Sequence, residues 1–472
     1  MLALGFARDH TYAVMGLGKS GAVAARALAA AGATVRAWDD SADRRAALQG
    51  VAGVTVVDLA ADGALADVDA LVLSPGIPHT HPEPHPVAAA AKAAGVAIIG
   101  DVELLLRAMP DRRLIAITGT NGKSTTTALI GHILASAGIP AEVGGNLGRP
   151  ALDFDDPGAA GVIVLELSSY QLELTPSLAP SVAVWLNLTP DHIDRHGDLA
   201  GYIAAKRRIF AHQTPSGVAV IGGDDEISRD IAERLRRDGR RVVDISGIGP
   251  VVGGVYAEDG ELVDARSGRP ETVLPLREAP ALPGEHNAQN AAAAFAACAA
   301  LGMPGAAIAA GIRSFPGLAH RQERVAEADG VLYVNDFKAT NADAAARALA
   351  CYGAIYWIAG GRGKEGGIAP LARFFPRVRR AYLIGESAGV FAHQIGDACP
   401  AVLCRTLEAA VRQADLDARA DRQPGAVVLL SPAAASFDQF PDFAARGDRF
   451  RDLVRGLLHD DGEAGTGNRR AS

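Results

Sequence analysis

The feature that most restricts how this 472-residue chain can fold is a short glycine loop caught between an apolar strand and a helix. Leu114–Thr118 (LIAIT) reads as a buried strand, a helix is expected from Lys123, and Gly119, Thr120, Asn121, Gly122, Lys123, Ser124 and Thr125 lie at the junction. Glycines let main-chain N–H groups turn inward, and the start of a helix adds partial positive charge, so such a junction receives phosphate oxygens. Lys123 is placed to contact β- and γ-phosphates, and the Ser124 hydroxyl to ligate Mg²⁺. Two residues separate Gly119 from Gly122, where the general phosphate loop has four. A bare GxxGKS would fit a turn with a surface lysine; with a strand before it and a helix after it, it argues for ATP.

The rest of the chain obeys the same rhythm. Apolar β-rich runs alternate with alanine-rich helical stretches, which predicts an α/β fold of three domains, each built on a mostly parallel doubly wound sheet. Residues 1–100 are expected to be Rossmann-like. Residues 101–315 read as a P-loop ATPase-like domain with an added β-meander in the Gly/Val-rich stretch 248–271. Residues 316–458 form a second Rossmann-like domain, and the polar tail 459–472 is expected to be disordered. A net charge of −8 disfavours a nucleic-acid binder. None of the four cysteines (Cys298, Cys351, Cys399, Cys404) forms a CxxC pair, which fits free thiols in a reducing cytoplasm. No signal peptide is expected. The uncharged run from Ala291 to Ile312 is mostly alanine and is broken by Gly302, Pro304 and Gly305, so it reads as two buried helices rather than a membrane span.

Two further constellations carry chemistry. Gly16, Leu17, Gly18, Lys19, Ser20 and Gly21 form a GxGxxG after a strand, with Asp39 and Asp40 ending the next strand. By itself this favours NAD and a dehydrogenase, but a UDP-sugar would use the same diphosphate-accepting backbone and the same carboxylate. Downstream, Glu166 ends an apolar run where strand termini present carboxylates to ligands, and suits Mg²⁺. His192 lies in TPDHIDRH, where a loop or capping histidine is the plainer reading. Lys206 sits on a helix one turn after Tyr202; a protonated lysine cannot ligate a metal, and a solvated helix lysine is its plainer reading. The histidines of PHTHPEPHP (His79, His81, His85) are separated by prolines, cannot share a helix face, and are expected to be solvated.

Taken together the residues resemble the bacterial Mur ligases over nearly the whole chain, from GLGKSG to SFDQF. The resemblance rests on TGTNGKST, GGNLG (144–148), ELSSYQLE (166–173), TPDHIDRH (189–196), the segment His286–Asn290, AHR (319–321), DFKATN (336–341), GGRGKEGG (360–367) and SPAAASFDQF (431–440). ELSSYQLE points within the family to the glutamate-adding member. The resemblance implies ATP, two Mg²⁺ ions, UDP-N-acetylmuramoyl-L-alanine and D-glutamate, with ligation through an acyl phosphate that releases ADP and phosphate, in a monomeric cytoplasmic enzyme of peptidoglycan synthesis without nucleic-acid or membrane partners.

It also implies roles. Gly16–Gly21, Asp39, Asp40, Ser74 and Asn146 would hold the UDP substrate. Asn287, Asn290, Arg321 and Asp336 would join the phosphate loop around ATP. Ser124 and Glu166 would hold one Mg²⁺, with His192 and Lys206, the latter carbamylated, serving the second. Lys338, Thr340, Lys364, Ser436 and Phe443 would surround glutamate, Lys338 also acting in catalysis. Because these residues fall in different domains, closure of the third domain over ATP is expected. Phe337 departs from the pattern, where serine is expected in DSKATN; neighbours on a strand alternate faces, so it is expected to point away from Asp336 and Lys338. Three rival readings leave more unexplained. A folylpolyglutamate synthase-like ligase would lack the UDP-type first domain, a dehydrogenase would not need ELSSYQLE or DFKATN, and an inactive binding protein would not need Lys123, Glu166, Lys206 and Lys338.

Overall fold

The computed structural model describes residues 2–467 apart from Leu147, Ala319, His320, Lys364, Glu365 and Asp442, with side chains described as far as His459 except that of Phe443. The chain packs as two compact units, Met1–Ala279 with Glu285–Phe315, and Pro280–Gly284 with Pro316–Ser472.

The first unit holds two sheets. One comprises β1 (Thr11–Met15), β2 (Thr34–Trp38), β3 (Val54–Val56), β4 (Ala70–Leu73) and β5 (Ala97–Ile99), all parallel in the order β3-β2-β1-β4-β5. The other comprises β6 (Arg113–Thr118), β7 (Ala141–Gly145), β8 (Val162–Glu166), β9 (Val182–Trp185), β10 (Val218–Gly222), β11 (Arg241–Ser246), β12 (Val255–Glu258), β13 (Glu261–Asp264) and β14 (Glu271–Pro275). Its order is β14-β13-β12-β11-β10-β9-β6-β8-β7, parallel from β7 through β12, with the antiparallel pairs β12–β13 and β13–β14 at one edge. Strands β8, β9 and β10 are buried along their whole length, as parallel strands covered on both faces must be. Between β8 and β9 lies β6, so the glycine loop leaves the carboxyl end of a central strand where the order of the sheet reverses, the place where open α/β sheets take ligands.

These two sheets share one core: Leu28, Leu104 and Leu105 pack in the same buried cluster as Leu152 and Phe154. Polar ties reinforce it. Gly100 N–H donates to Leu174 O at 2.7 Å, and Glu103 Oε2 accepts from Ser177 N and Oγ at 3.0 and 2.8 Å.

The second unit holds β15 (Glu323–Ala328), β16 (Val331–Asn335), β17 (Ala354–Gly360), β18 (Val378–Ile384), β19 (Ala401–Arg405) and β20 (Ala426–Leu430), in the order β15-β16-β20-β17-β18-β19. Only the edge strand β15 is antiparallel. Buried clusters line both faces, one around Trp357 and Leu429, the other around Tyr356 and Phe450.

The expected α/β class with three mostly parallel sheets is found. The run 291–312 is two helices, Glu285–Ala300 and Gly305–Ser314, and among the described residues no helix is long and apolar enough to cross a membrane. All four cysteines are free. The final helix, Phe443–Gly467, runs into the segment from His459 for which disorder is expected, and residues 468–472 lie outside the described residues.

Candidate active site

The loop Gly119–Thr125 is shaped by its neighbours. Gly119 and Gly122 have φ of +153° and +83°, and a Cβ on Gly122 would lie 2.3 Å from Asn290 Oδ1. Only glycine fits there. Asn290, on the helix Glu285–Ala300, accepts from Thr126 Oγ1 at 3.1 Å and donates through Nδ2 to Asn287 Oδ1 at 3.0 Å. From the far side, Asn187 accepts the Asn121 N–H at 2.9 Å through Oδ1, and its main-chain oxygen accepts the Thr120 N–H at 3.0 Å. Asn187 Nδ2 also donates to Gln289 Oε1 at 3.1 Å, and Gln289 in turn to Asp224 at 2.7 Å. Sequence reasoning assigned no role to Asn187, Asp224 or, within the segment His286–Asn290, Gln289, because their partners are distant in the chain.

Two lysines meet at the loop. Lys123 Nζ donates to Gly119 O and Thr120 O, both at 2.9 Å. Lys206 Nζ, 2% exposed, donates to Gly119 O at 2.9 Å and Thr118 Oγ1 at 3.4 Å. Burial, with Lys123 beside it, holds the Lys206 pKa well below that of an ordinary lysine, although Asp191 and Glu166 oppose the shift. The neutral amine is therefore accessible, and a neutral amine is what adds CO₂ to form a carbamate.

Glu166, also 2% exposed, accepts from Asn146 Nδ2 through Oε1 at 2.8 Å, while its Oε2 is buried without a hydrogen-bond partner among the described residues. A buried carboxylate oxygen with no donor costs stability unless a cation meets it, so this oxygen and the nearly buried Ser124 fit a Mg²⁺ ligand set. The second expected metal position fits less directly. His192 lies in the left-handed region at φ 52°, half-exposed, with its Nε2 3.5 Å from Asp191. Burial and the nearby Lys206 and Lys123 lower its pKa against Asp191, favouring the neutral, lone-pair-bearing imidazole. Lys206 suits that position as a carbamate, not as a cation. Among the described residues no three His, Cys, Asp or Glu side chains group as a metal cluster.

The second glycine loop lies in the same unit. A Cβ on Gly21 would sit 1.8 Å from Gly16 O, and Ser74 Oγ donates to Gly16 O at 2.8 Å, so Gly16, Gly21 and Ser74 form one tight turn. Asp39 accepts from Leu17 N at 2.6 Å and Ser41 N at 2.8 Å. Burial pushes its carboxyl up, but these bonds and Arg44 outweigh that and leave it below the usual range. Lys19 reaches across to Gly148 O at 2.8 Å, beside Asn146.

His79 corrects the expectation of solvated histidines: its side chain is only 15% exposed and lies 3.9 Å from Glu173. Arg195 Nη2 is 3.3 Å from its Nδ1 and donates to Ile77 O at 3.1 Å. His85 is likewise engaged, capping the helix Pro86–Ala93 and lying 3.3 Å from Asp40. Arg195, unnoticed in the sequence beyond its motif, thus ties the Ser74–Ile77 loop to the segment carrying His192.

In the second unit, Asp336 is 7% exposed and accepts from Ser431 Oγ at 2.9 Å and Gln322 N at 3.2 Å. Burial pushes its pKa up to about 7 against those bonds and Arg321. Lys338 is exposed and Thr340 half-buried, whereas Phe337 is 1% exposed and packs with Tyr333 and Phe450; β16 ends at Asn335 and Phe337 and Lys338 lie in the turn after it, so strand alternation is not what places Phe337. Ser436 is fully buried. Lys364 lies outside the described residues, and Phe443 begins the last helix with its side chain outside them.

Comparison with known proteins places these features in a family. Family models match residues 117–298 (Mur ligase middle domain) and 10–100 (Mur ligase MurD-like, N-terminal domain). The UDP-N-acetylmuramoylalanine–D-glutamate ligase of Rhodospirillum rubrum is 54% identical over 97% of both chains. The ligase of the same name from Caulobacter vibrioides is 51% identical over 97% of this chain and 98% of its own. Among solved structures, the UDP-N-acetylmuramate–alanine ligase of Thermotoga maritima shares the fold at a TM-score of 0.57, with 16% identity over 95% of this chain and 99% of its own. MurF of Acinetobacter baumannii aligns at 0.54 and 21% identity over 76% and 82%.

Proposed function

We propose a function from one premise: this chain belongs to the Mur ligase family. It is an ATP-dependent ligase of peptidoglycan-precursor synthesis that joins D-glutamate to UDP-N-acetylmuramoyl-L-alanine. The observation that carries the reading is the meeting of Lys123 and Lys206, from two helices, on the carbonyl of Gly119 in a loop built for phosphate.

The alanine carboxylate attacks the γ-phosphorus of ATP, the bond to ADP breaks, and an acyl phosphate results. The amine of glutamate then attacks the acyl carbon, the C–O bond to phosphate breaks, and the amine loses a proton as the amide forms. Activation is needed because a carboxylate and an ammonium ion do not condense in water. The chain contributes position and charge. Lys123 exchanges its loop carbonyls for the β- and γ-phosphates. The helix start at Lys123 offers main-chain N–H donors. Asn287, Asn290, Arg321 and Asp336 hold the nucleotide. Glu166 Oε2 and Ser124 hold Mg²⁺, which would neutralise phosphate charge when bound. His192 and a carbamylated Lys206 serve a second ion. Gly16–Gly21, Asp39, Asp40, Ser74 and Asn146 hold the UDP substrate, and Lys338, Thr340, Lys364, Ser436 and Phe443 receive glutamate.

The test is phosphate release: it is expected with ATP, UDP-N-acetylmuramoyl-L-alanine and D-glutamate together, and not when any one is omitted. Release that ignores D-glutamate would sink the assignment. The carbamate is checked separately with ¹³C-bicarbonate, which should give a carbamate carbon resonance that Lys206→Ala lacks; the same resonance in the variant would place the modification elsewhere.

A further inference from the structure

We propose that Arg446 is the positioning residue of the glutamate site, an inference that rests on the reading above. It lies on the final helix and is 1% exposed, among the largest fully buried side chains of the molecule. An arginine buried so deeply is ordinarily paired with a carboxylate. Here the guanidinium turns to main-chain carbonyls: Nη2 donates to Ala434 O at 2.9 Å and Phe337 O at 3.3 Å, and Nη1 to Gly360 O at 3.3 Å and Ala435 O at 3.4 Å.

Those four carbonyls come from three separate stretches of chain, one of them the end of β17. Phe337 precedes Lys338 and Thr340; Gly360 opens the segment that leads to Lys364; Ala434 and Ala435 precede Ser436. Every loop proposed to touch glutamate is thus joined at one buried cation, and the final helix that supplies it also begins at Phe443. The joint has no slack. A Cβ on Gly361 would lie 2.1 Å from Ala435 O and 3.0 Å from Arg446 Nη1. Arg362 N and O exchange hydrogen bonds with Ala435 O and N at 2.9 and 3.0 Å, closing two of the loops against each other. Arginine alone suits the place: a planar fork of donors spans three backbones, which the single ammonium of lysine cannot. Being buried, Arg446 does not touch substrate. It sets the relative placement of the loops that do.

Arg446→Lys tests this, read by steady-state kinetics in each substrate. The KM for D-glutamate is expected to rise at least about tenfold, with the KM for ATP and for UDP-N-acetylmuramoyl-L-alanine within about twofold of wild type. Three constants that all stay at wild-type values, or all rise together, would overturn the inference. If the variant fails to fold, amide hydrogen exchange on the wild-type protein decides. Adding D-glutamate to enzyme carrying the UDP substrate and a non-hydrolysable ATP analogue should slow exchange in 336–340, 360–363 and 433–437 together, and independent responses would overturn it. A wild-type enzyme without D-glutamate-dependent phosphate release would instead sink the functional reading itself.

Discussion

Asp336 shows how far burial can move one group. With its pKa pushed from 3.8 to about 7, the folded state keeps a proton that the unfolded state has already released. The sign follows from linkage. Below the unfolded pKa both states are protonated and Asp336 costs nothing; as pH rises towards 7 the protonated carboxyl's advantage is lost, by up to about 1.4 kcal/mol per pH unit. Asp336→Asn removes that slope. Its melting temperature should gain on wild type between pH 4 and pH 7, and a difference that stays constant across the range would show that Asp336 does not titrate there.

At the scale of elements, what was legible in the sequence followed from local rules. The buried parallel strands read as continuous apolar runs, and the strand–glycine–helix junction at Gly119 announced itself through spacing. Edge and irregular strands did not: β7 is AEVGG, with two glycines and a glutamate, and β15 is ERVAEA, with three charged residues and no apolar run, as a partly exposed edge strand allows. Family resemblance supplied the site residues that pattern could not, such as Asn290, whose oxygen excludes any side chain at Gly122. The supports behind them escaped both routes. Asn187 reaches the loop across 66 positions, and Arg446 reaches Phe337 across 109; neither spacing has a local signature. His81 is exposed as expected, but His79 departs from the expectation for the same reason, since what surrounds it is a glutamate and an arginine distant in the chain.

Over the whole molecule, the common core of the first two sheets should make them unfold together. Phe154, fully buried in that core, is the place to ask. Phe154→Ala is expected to cost about 3–5 kcal/mol and to speed amide exchange in β1 and β4 as well as in β6 and β8; acceleration confined to one sheet would separate them. Sharing one core has a further consequence. The turn proposed to take the UDP end of the substrate and the loop proposed to take the transferred phosphate stand at a separation that the packing sets. If the two loops bind as proposed, the unit works as a gauge: a molecule strung between them has to match that separation in length as well as carry the right chemical groups at its ends.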